Sequence, residues 1–312
     1  MNYSIKEKIK GYLDLTRAHF APVWPLLFCA GAMLAFRNYG GFSWWRIIQV
    51  ALIGLFGFEA GMVLNDILDR NIDHIEPDDT MTKYWRPFRE RPIPSGRVSL
   101  IEAIVVFSIF LITTIVLIAF LPFPNLLFVY GIMIYAYVVE SFYNIKKRNQ
   151  KVPIAQLLGR TDLAVFPIAG YVCYGQFDLT IFLIFAFLYP WALAHLATND
   201  IVDVENDAAK DLKTVTVLYG TNGNLIWILI FSLLHIAILP IFIIFGELSY
   251  IALGGFILAT LILIGANILL HQRKTPQTRL FALPLFHATL FVYVTSIILD
   301  SAILPTTPLI AI

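Results

Sequence analysis

Charge is the scarcest property of this sequence. Asp, Glu, Lys and Arg make up 14% of its 312 residues, against about 25% in an ordinary soluble domain. With 59% hydrophobic residues and 25 phenylalanines, the chain has too little polar surface to cover a water-soluble globule of its length. A membrane is the solvent that suits it. Charge imbalance is missing too: 22 basic side chains face 21 acidic ones. There is thus no basic footprint for nucleic acid, and bulk charge points to no obligate protein partner. The two cysteines, Cys29 and Cys173, each lie in an apolar run, which argues against a disulfide framework or a thiolate metal centre. The opening stretch "MNYSIKEKIKGYLDLTR" lacks the uninterrupted apolar core and small-residue cleavage site of a signal peptide. Residues 1–18 are expected to stay on the chain as an amphipathic helix lying on the membrane.

Long apolar runs are what the sequence does have. A spanning helix needs ~20 mostly apolar residues, and nine segments qualify, near 19–36, 44–64, 99–120, 124–143, 152–174, 178–198, 224–245, 249–270 and 281–304. The expected fold is all-α: one polytopic membrane domain over residues 1–312, with nine transmembrane helices around a central cavity. All Lys and Arg except Arg37, Arg46 and Arg160 fall in the N-terminal segment or in the links after the second, fourth, sixth and eighth spans. The positive-inside rule therefore puts the N-terminus and those links in the cytoplasm and the C-terminus outside.

Two of the cytoplasmic links, 65–98 and 199–223, open on acidic motifs. Asn65, Asp66, Asp69 and Asp73 have the spacing Asn-Asp-x-x-Asp-x-x-x-Asp, and Asn199, Asp200, Asp203 and Asp207 repeat it 134 residues later. On a helix, Asp66, Asp69 and Asp73 fall within about 60° of one another, and Asp200, Asp203, Asp207 and Asp211 within about 80°. Two such stripes face to face would repel and raise one another's pKa; a divalent cation removes the conflict. Oxygen ligands without His or Cys at matching spacing favour Mg²⁺, which keeps several waters and bridges carboxylates to phosphates. The expected ligand is a diphosphate.

The paired motifs resemble those of the UbiA superfamily of intramembrane prenyltransferases. The resemblance extends over most of the chain, through "LTRAH" with Arg17, "RPIPSG" from Arg91 to Gly96, and "YNIKKR" after the fourth span. It implies an Mg²⁺-dependent membrane transferase that moves an isoprenyl group from a polyprenyl diphosphate to a lipid or other hydrophobic acceptor. By position, it implies metal ligation and catalysis by Asn65, Asp66, Asp69, Asp73, Asp200, Asp203 and Asp207. The second motif looks most like that of enzymes acting on geranylgeranylglyceryl phosphate and of chlorophyll synthases; aromatic acceptors stay open.

Cations for the diphosphate are Arg17, Arg70, Arg91 and Lys146, with Lys147 beside it; each is alternatively a topology signal or a lipid-headgroup contact. Tyr143 is read as a diphosphate contact or an interfacial anchor. Ionisable groups inside spans are costly and mark function. Glu59 sits two turns before Asp66, ~10 Å deeper on nearly the same face, and is expected to point into the cavity as a proton acceptor or acceptor-binding group. Arg160, Asp162 and Asn199 are further acceptor-side candidates, although Arg160 and Asp162 project roughly 200° apart on a continuous helix and so would need partners elsewhere. His195 lies off the acidic stripe and reads as a packing or hydrogen-bonding histidine. The stretch 74–90 is longer than the resemblance implies, and Asp78, Asp79, Lys83, Arg86 and Arg89 there are candidates for a lid. Two other readings are a terpene cyclase on the same scaffold and a cation-coupled transporter built on repeats.

Overall fold

A computed structural model describes residues 3–303. Fourteen α-helices occur among them: α1 (Ile5–Leu15), α2 (Val23–Tyr39), α3 (Trp44–Asp69), α4 (Thr80–Trp85), α5 (Leu100–Ala119), α6 (Asn125–Lys146), α7 (Ile154–Gly159), α8 (Thr161–Val172), α9 (Leu179–Val202), α10 (Val204–Ala209), α11 (Val215–Phe245), α12 (Tyr250–Gln272), α13 (Pro276–Arg279) and α14 (Leu283–Ile303). Helix starts follow local chemistry. Ser99 accepts a hydrogen bond from Glu102 N while the Glu102 carboxylate accepts from Ser99 N, a reciprocal capping box that opens α5. Asp178 and Ser249 cap α9 and α12 in the simpler one-way manner.

Seven described helices are long and apolar enough to cross a membrane: α3, α5, α6, α9, α11, α12 and the run Pro276–Ile303. The first and fifth expected spans are the exceptions. α2 has only 17 residues, ending where Gly40 and Gly41 take positive φ. The 152–174 stretch is broken at Arg160 into α7 and α8. Residue 159, just before the break, is a glycine where the Tyr143 ring lies in the space a β-carbon would occupy. The ninth expected span matches α14 up to residue 303; position 304 and the C-terminal end lie outside the described residues.

α2 and α8 are buried along most of their length and cross at closest range through glycine. A β-carbon on Gly31 would collide with the Pro167 carbonyl, and one on Gly170 with the Phe28 carbonyl. Only small residues let two backbones approach so far. α9, packed along α11 and α8, is buried on nearly every face from Ile181 to Val202. α5 lies outermost, with Ile101, Val105, Ile109, Ile112 and Val116 exposed every three or four residues, an apolar stripe suited to lipid. α1 exposes Ile5, Ile9 and Leu13 while burying Gly11, Asp14 and Leu15. Its Lys8 is held 2.7 Å from Glu102 at the start of α5.

The acidic motifs are not loops throughout. α3 runs on to Asp69 and α9 to Val202. α10 and the first turn of α11 occupy much of 199–223, with a bend at Gly220 (φ 70°, ψ 174°), a conformation open essentially only to glycine.

Candidate active site

A cavity of about 270 Å³ opens between the ends of α3 and α9 and runs inward among α2, α3, α6, α8, α9 and α14. Its outer end carries Asp69, Asp73, Asp200, Asp203 and Asp207 with the cations Arg17, Arg86, Arg91, Lys147 and Lys210. Its inner end is apolar and aromatic, with Phe20, Trp24, Phe58, Phe166, Trp191 and Leu290 on the wall. Trp24 and Phe58 stack with centroids 3.8 Å apart.

Every first-motif carboxylate is matched to cations. Asp66 Oδ1 accepts from Arg17 (2.8 Å) and Arg86 (3.0 Å). Asp69 accepts from Lys147 (2.6 Å) and Arg148 (2.8 Å). Asp73 Oδ1 accepts from Arg91 (2.7 Å) and Lys210 (2.9 Å). Arg91 also donates to Glu76 at 2.7 Å. Burial alone would pull the Arg91 guanidinium down, but Asp73 and Glu76 more than offset it and hold the group firmly protonated. For Arg86, burial dominates and its pKa is lowered despite Asp66.

The second motif is built differently. Asp200 accepts from Val215 N (3.2 Å), Asp203 from Asn206 Nδ2 (2.6 Å) and Asp207 from Thr214 Oγ1 (2.9 Å). No cation stands within ion-pair distance of these three among the described residues. Burial raises the Asp203 and Asp207 carboxyls above the usual carboxylate range, Asp207 the more because Asp203 and Asp200 add like charge. An all-oxygen donor set short of positive charge fits a hard divalent cation, and Asp66 Oδ2 is a further buried oxygen without a partner. Among the described residues, no three His, Cys, Asp or Glu side chains already converge as a cage for one ion; the cations on the first motif keep its carboxylates engaged elsewhere.

Several expected positions move. Asp66 is buried behind the cavity wall, turned to Arg17 and Arg86. Asp211 is off the stripe: α9 ends at Val202, and Asp211 has φ 55° and pairs with Lys213 at the surface. Arg70 donates to Ile67 O at the end of its own helix and is not on the wall. Lys146 is likewise off the wall and its neighbour Lys147 on it, bonded to Asp69 and to Asn144 Oδ1 (2.6 Å). Tyr143 lines the cavity, its ring 4.9 Å from Lys147 Nζ and 5.8 Å from the Arg160 guanidinium. Asn199 is on the wall with its carbonyl oxygen unpartnered.

Arg160 and Asp162, expected to point apart, lie 3.8 Å from each other on the wall. The helical angle fails because the helix breaks between them. Glu59 is buried with neither oxygen bonded, and the wall passes through Phe58 and Gly61 rather than through it. His195, expected to serve in packing or hydrogen bonding, bonds to another histidine and is also on the wall. Asn65 donates to Glu140 Oε1 (2.9 Å) and Asn144 Oδ1 (3.1 Å).

Of the lid candidates, Arg86 enters the site, donating also to Asp14 O at 2.8 Å, and Asp78 ties the loop to α10 through two hydrogen bonds with the Asn206 side chain. Asp79 and Lys83 pair with each other at 2.7 Å, half-exposed, and Arg89 is exposed. Glu140 and His287 are wall residues the sequence reading passed over. Both carried a legible signal, an ionisable side chain inside an apolar span.

Comparison with known proteins gives consistent results. The model of the UbiA prenyltransferase family matches residues 24–290. A 4-hydroxybenzoate octaprenyltransferase of Psychromonas ingrahamii is 27% identical over 240 residues, which cover 72% of this chain and 74% of that protein. A solved structure of digeranylgeranylglyceryl phosphate synthase superposes with a TM-score of 0.68 at 21% identity, covering 96% of this chain and all of that one. A UbiA homologue from Archaeoglobus fulgidus, bound to DMAPP and Mg2+, superposes with a TM-score of 0.69 at 17% identity, covering 94% and 99%. At such identities the two structures speak for a shared fold.

Proposed function

Because the chain belongs to the UbiA prenyltransferase family, we propose that it transfers an isoprenyl group from a polyprenyl diphosphate to a lipid or aromatic acceptor within the membrane. The observation that supports this most is the two-ended cavity, charged at its mouth and aromatic at its depth. Asp69, Asp73, Asp200, Asp203 and Asp207, with Asn65 nearby, would hold Mg²⁺. Asp66, facing away from the cavity, instead positions Arg17 and Arg86. When bound, Mg²⁺ supplies charge neutralisation on the departing diphosphate. Arg17, Arg86, Arg91, Lys147 and Lys210 are preorganised donors aimed at the same developing charge.

The allylic cation left behind must be kept from water. The walls made by Phe20, Trp24, Phe58, Phe166 and Trp191 exclude water, and their ring faces attract positive charge. The isoprenoid tail lies along this inner end. The two broad relatives differ in acceptor, one named for 4-hydroxybenzoate and one for a glyceryl phosphate lipid, so the acceptor class is a nucleophile on a lipid or an aromatic ring. α2 and the α7–α8 pair are proposed to complete nine crossings, with the N-terminus and cavity mouth cytoplasmic and the C-terminus outside, as the basic residues indicate.

The test is purified protein with Mg²⁺ and radiolabelled geranylgeranyl diphosphate, offered 4-hydroxybenzoate and geranylgeranylglyceryl phosphate in turn. Acceptor-dependent diphosphate release that Asp69→Ala and Asp203→Ala reduce by ~100-fold or more supports transfer. Release without acceptor and with a cyclic hydrocarbon product would make the protein a cyclase, and no release from any donor would overturn the proposal.

A further inference from the structure

Three side chains outside the acidic motifs form one hydrogen-bonded line. His195 Nε2 lies 2.9 Å from His287 Nε2, and His287 Nδ1 lies 2.7 Å from the Tyr84 hydroxyl. His195 and His287 are on the cavity wall. Tyr84 is half-buried on α4, the short helix inside the extended 74–90 stretch. The line is held in place by rings: Trp191 stacks on His195 at 5.0 Å and 6°, and Tyr84 on His287 at 5.8 Å and 20°. Phe20 and Trp85 meet the His287 ring edge-on at 5.3 and 5.2 Å. At the inner end, His195 Nδ1 is buried without a hydrogen-bond partner among the described residues.

Hydrogen counting fixes how such a line works. A neutral imidazole carries one N–H, so each nitrogen–nitrogen contact takes its hydrogen from one ring only, and the whole line must point one way. In one orientation His195 Nε2–H donates to His287 Nε2, and His287 Nδ1–H donates to the Tyr84 oxygen. His195 Nδ1 then carries a bare lone pair, buried and unpartnered among the described residues, on a side chain of the cavity wall.

Resting on the transferase reading above, we propose that His195 Nδ1 takes the proton the acceptor loses, and that His287 and Tyr84 carry it to the mouth. The isoprenyl C1–oxygen bond breaks, with its electron pair leaving on diphosphate. A bond forms from the acceptor's nucleophilic atom to C1, and the acceptor's own proton moves to His195 Nδ1. The His195 Nε2 proton passes to His287 Nε2, the His287 Nδ1 proton passes to the Tyr84 oxygen, and the former Tyr84 hydroxyl proton passes to water. Once product has left, the line resets in reverse: His195 Nδ1 gives its proton to water entering the cavity, the His287 Nε2 proton returns to His195 Nε2, the Tyr84 proton returns to His287 Nδ1, and Tyr84 takes one from solvent. The carboxylates of Glu140 and Asp162 also line the wall, but they are engaged by Asn65, Asn144 and Arg160. The extended stretch 74–90 thereby acquires a task, since it delivers the final hydroxyl.

The experiment separates proton removal from donor ionisation in one preparation. Radiolabelled geranylgeranyl diphosphate with Mg²⁺ is followed with acceptor, for transfer, and without it, for slow hydrolysis to the free alcohol. Tyr84→Phe keeps the stacked ring and loses the hydroxyl; transfer should fall by ~10-fold or more, while acceptor-free hydrolysis and the donor KM change by less than ~2-fold. His195→Ala should lower transfer by ~100-fold or more, in the range of general base catalysis, and added imidazole should restore part of it. Transfer at the wild-type rate in both variants overturns the proposal, as does a parallel fall of transfer and hydrolysis in Tyr84→Phe or a His195→Ala enzyme that imidazole does not rescue. A wild type that releases no diphosphate with any donor and acceptor removes the transferase reading itself.

Discussion

Replacing Lys147 with methionine keeps the length of the side chain and removes one ammonium from the cavity mouth. Two 2.6 Å contacts disappear, to Asp69 Oδ2 and Asn144 Oδ1. Hydrogen bonds to charged groups contribute roughly 1.5–3 kcal/mol each, and stranding a buried charge outright costs about 3–5 kcal/mol. Asp69 is not stranded, because Arg148 still reaches it at 2.8 Å from a side chain 39% exposed. The stability loss should therefore be nearer ~2 kcal/mol, visible as a lowered thermal unfolding midpoint in detergent. The catalytic loss should be larger. Removing one preorganised donor from a site of developing negative charge costs ~100- to 1000-fold in kcat, about 2.7–4 kcal/mol. Lys146→Met is the internal control: one residue away and off the cavity wall, it should change steady-state turnover by less than ~2-fold. A Lys147→Met enzyme with wild-type kcat refutes the assignment, as do equal losses in the two variants. A rise in KM alone would mean that Lys147 binds ground state and transition state alike.

Chelation should stop turnover and added Mg²⁺ restore it, and Asp203→Asn should raise the Mg²⁺ concentration for half-maximal activity by ~10-fold or more; an unchanged titration would take Asp203 out of the metal site. At the far end of the bundle, Arg37 and Asp300 form a buried pair 3.0 Å apart. Arg37→Leu should destabilise the protein by about 3–5 kcal/mol while the folded fraction keeps its donor KM, and an unaltered unfolding midpoint would contradict this. Gly170→Ala, which drives a methyl into the Phe28 carbonyl, should destabilise by roughly 1–3 kcal/mol. Gly265→Ala, with open space around it, serves as its near-neutral comparison in the same unfolding assay.

The parts of the site that could be read in advance were those written as spacing. Asp69, Asp73, Asp200, Asp203 and Asp207 repeat at matching spacing around two helix ends, and they do reach a common opening. α3 stops at Asp69 and α9 at Val202, so the helical angle holds only at the start of each motif. What stayed hidden depended on where a helix stops. Lys146 and Lys147 differ by 100° of rotation at the end of α6, and composition does not say which faces inward. Arg160 and Asp162 could be placed by helical angle only on an unbroken helix, and the chain breaks at Arg160 between α7 and α8. Asp66 sits on the predicted stripe, yet Arg17 and Arg86 arrive from α1's end and from the 74–90 stretch to draw it away, a tertiary effect without local signal. Glu140 and His287 were legible as lone ionisable groups in apolar runs, and were overlooked beside the louder motifs.

Under the proposed function, the matched charges of the first motif make the donor and the metal depend on one another. Arg91 cannot give its full charge both to Asp73 and to a diphosphate, nor Lys147 both to Asp69 and to a diphosphate. A diphosphate that attracts these cations leaves carboxylate oxygens available to a divalent ion, and an ion that neutralises the carboxylates releases the cations for the diphosphate. Thermodynamic reciprocity then requires each ligand to tighten the other by the same factor, commonly ~5- to 150-fold. The same ion pairs that hold the first motif together therefore tie donor affinity to metal concentration, so the donor KM should fall as the divalent ion is raised.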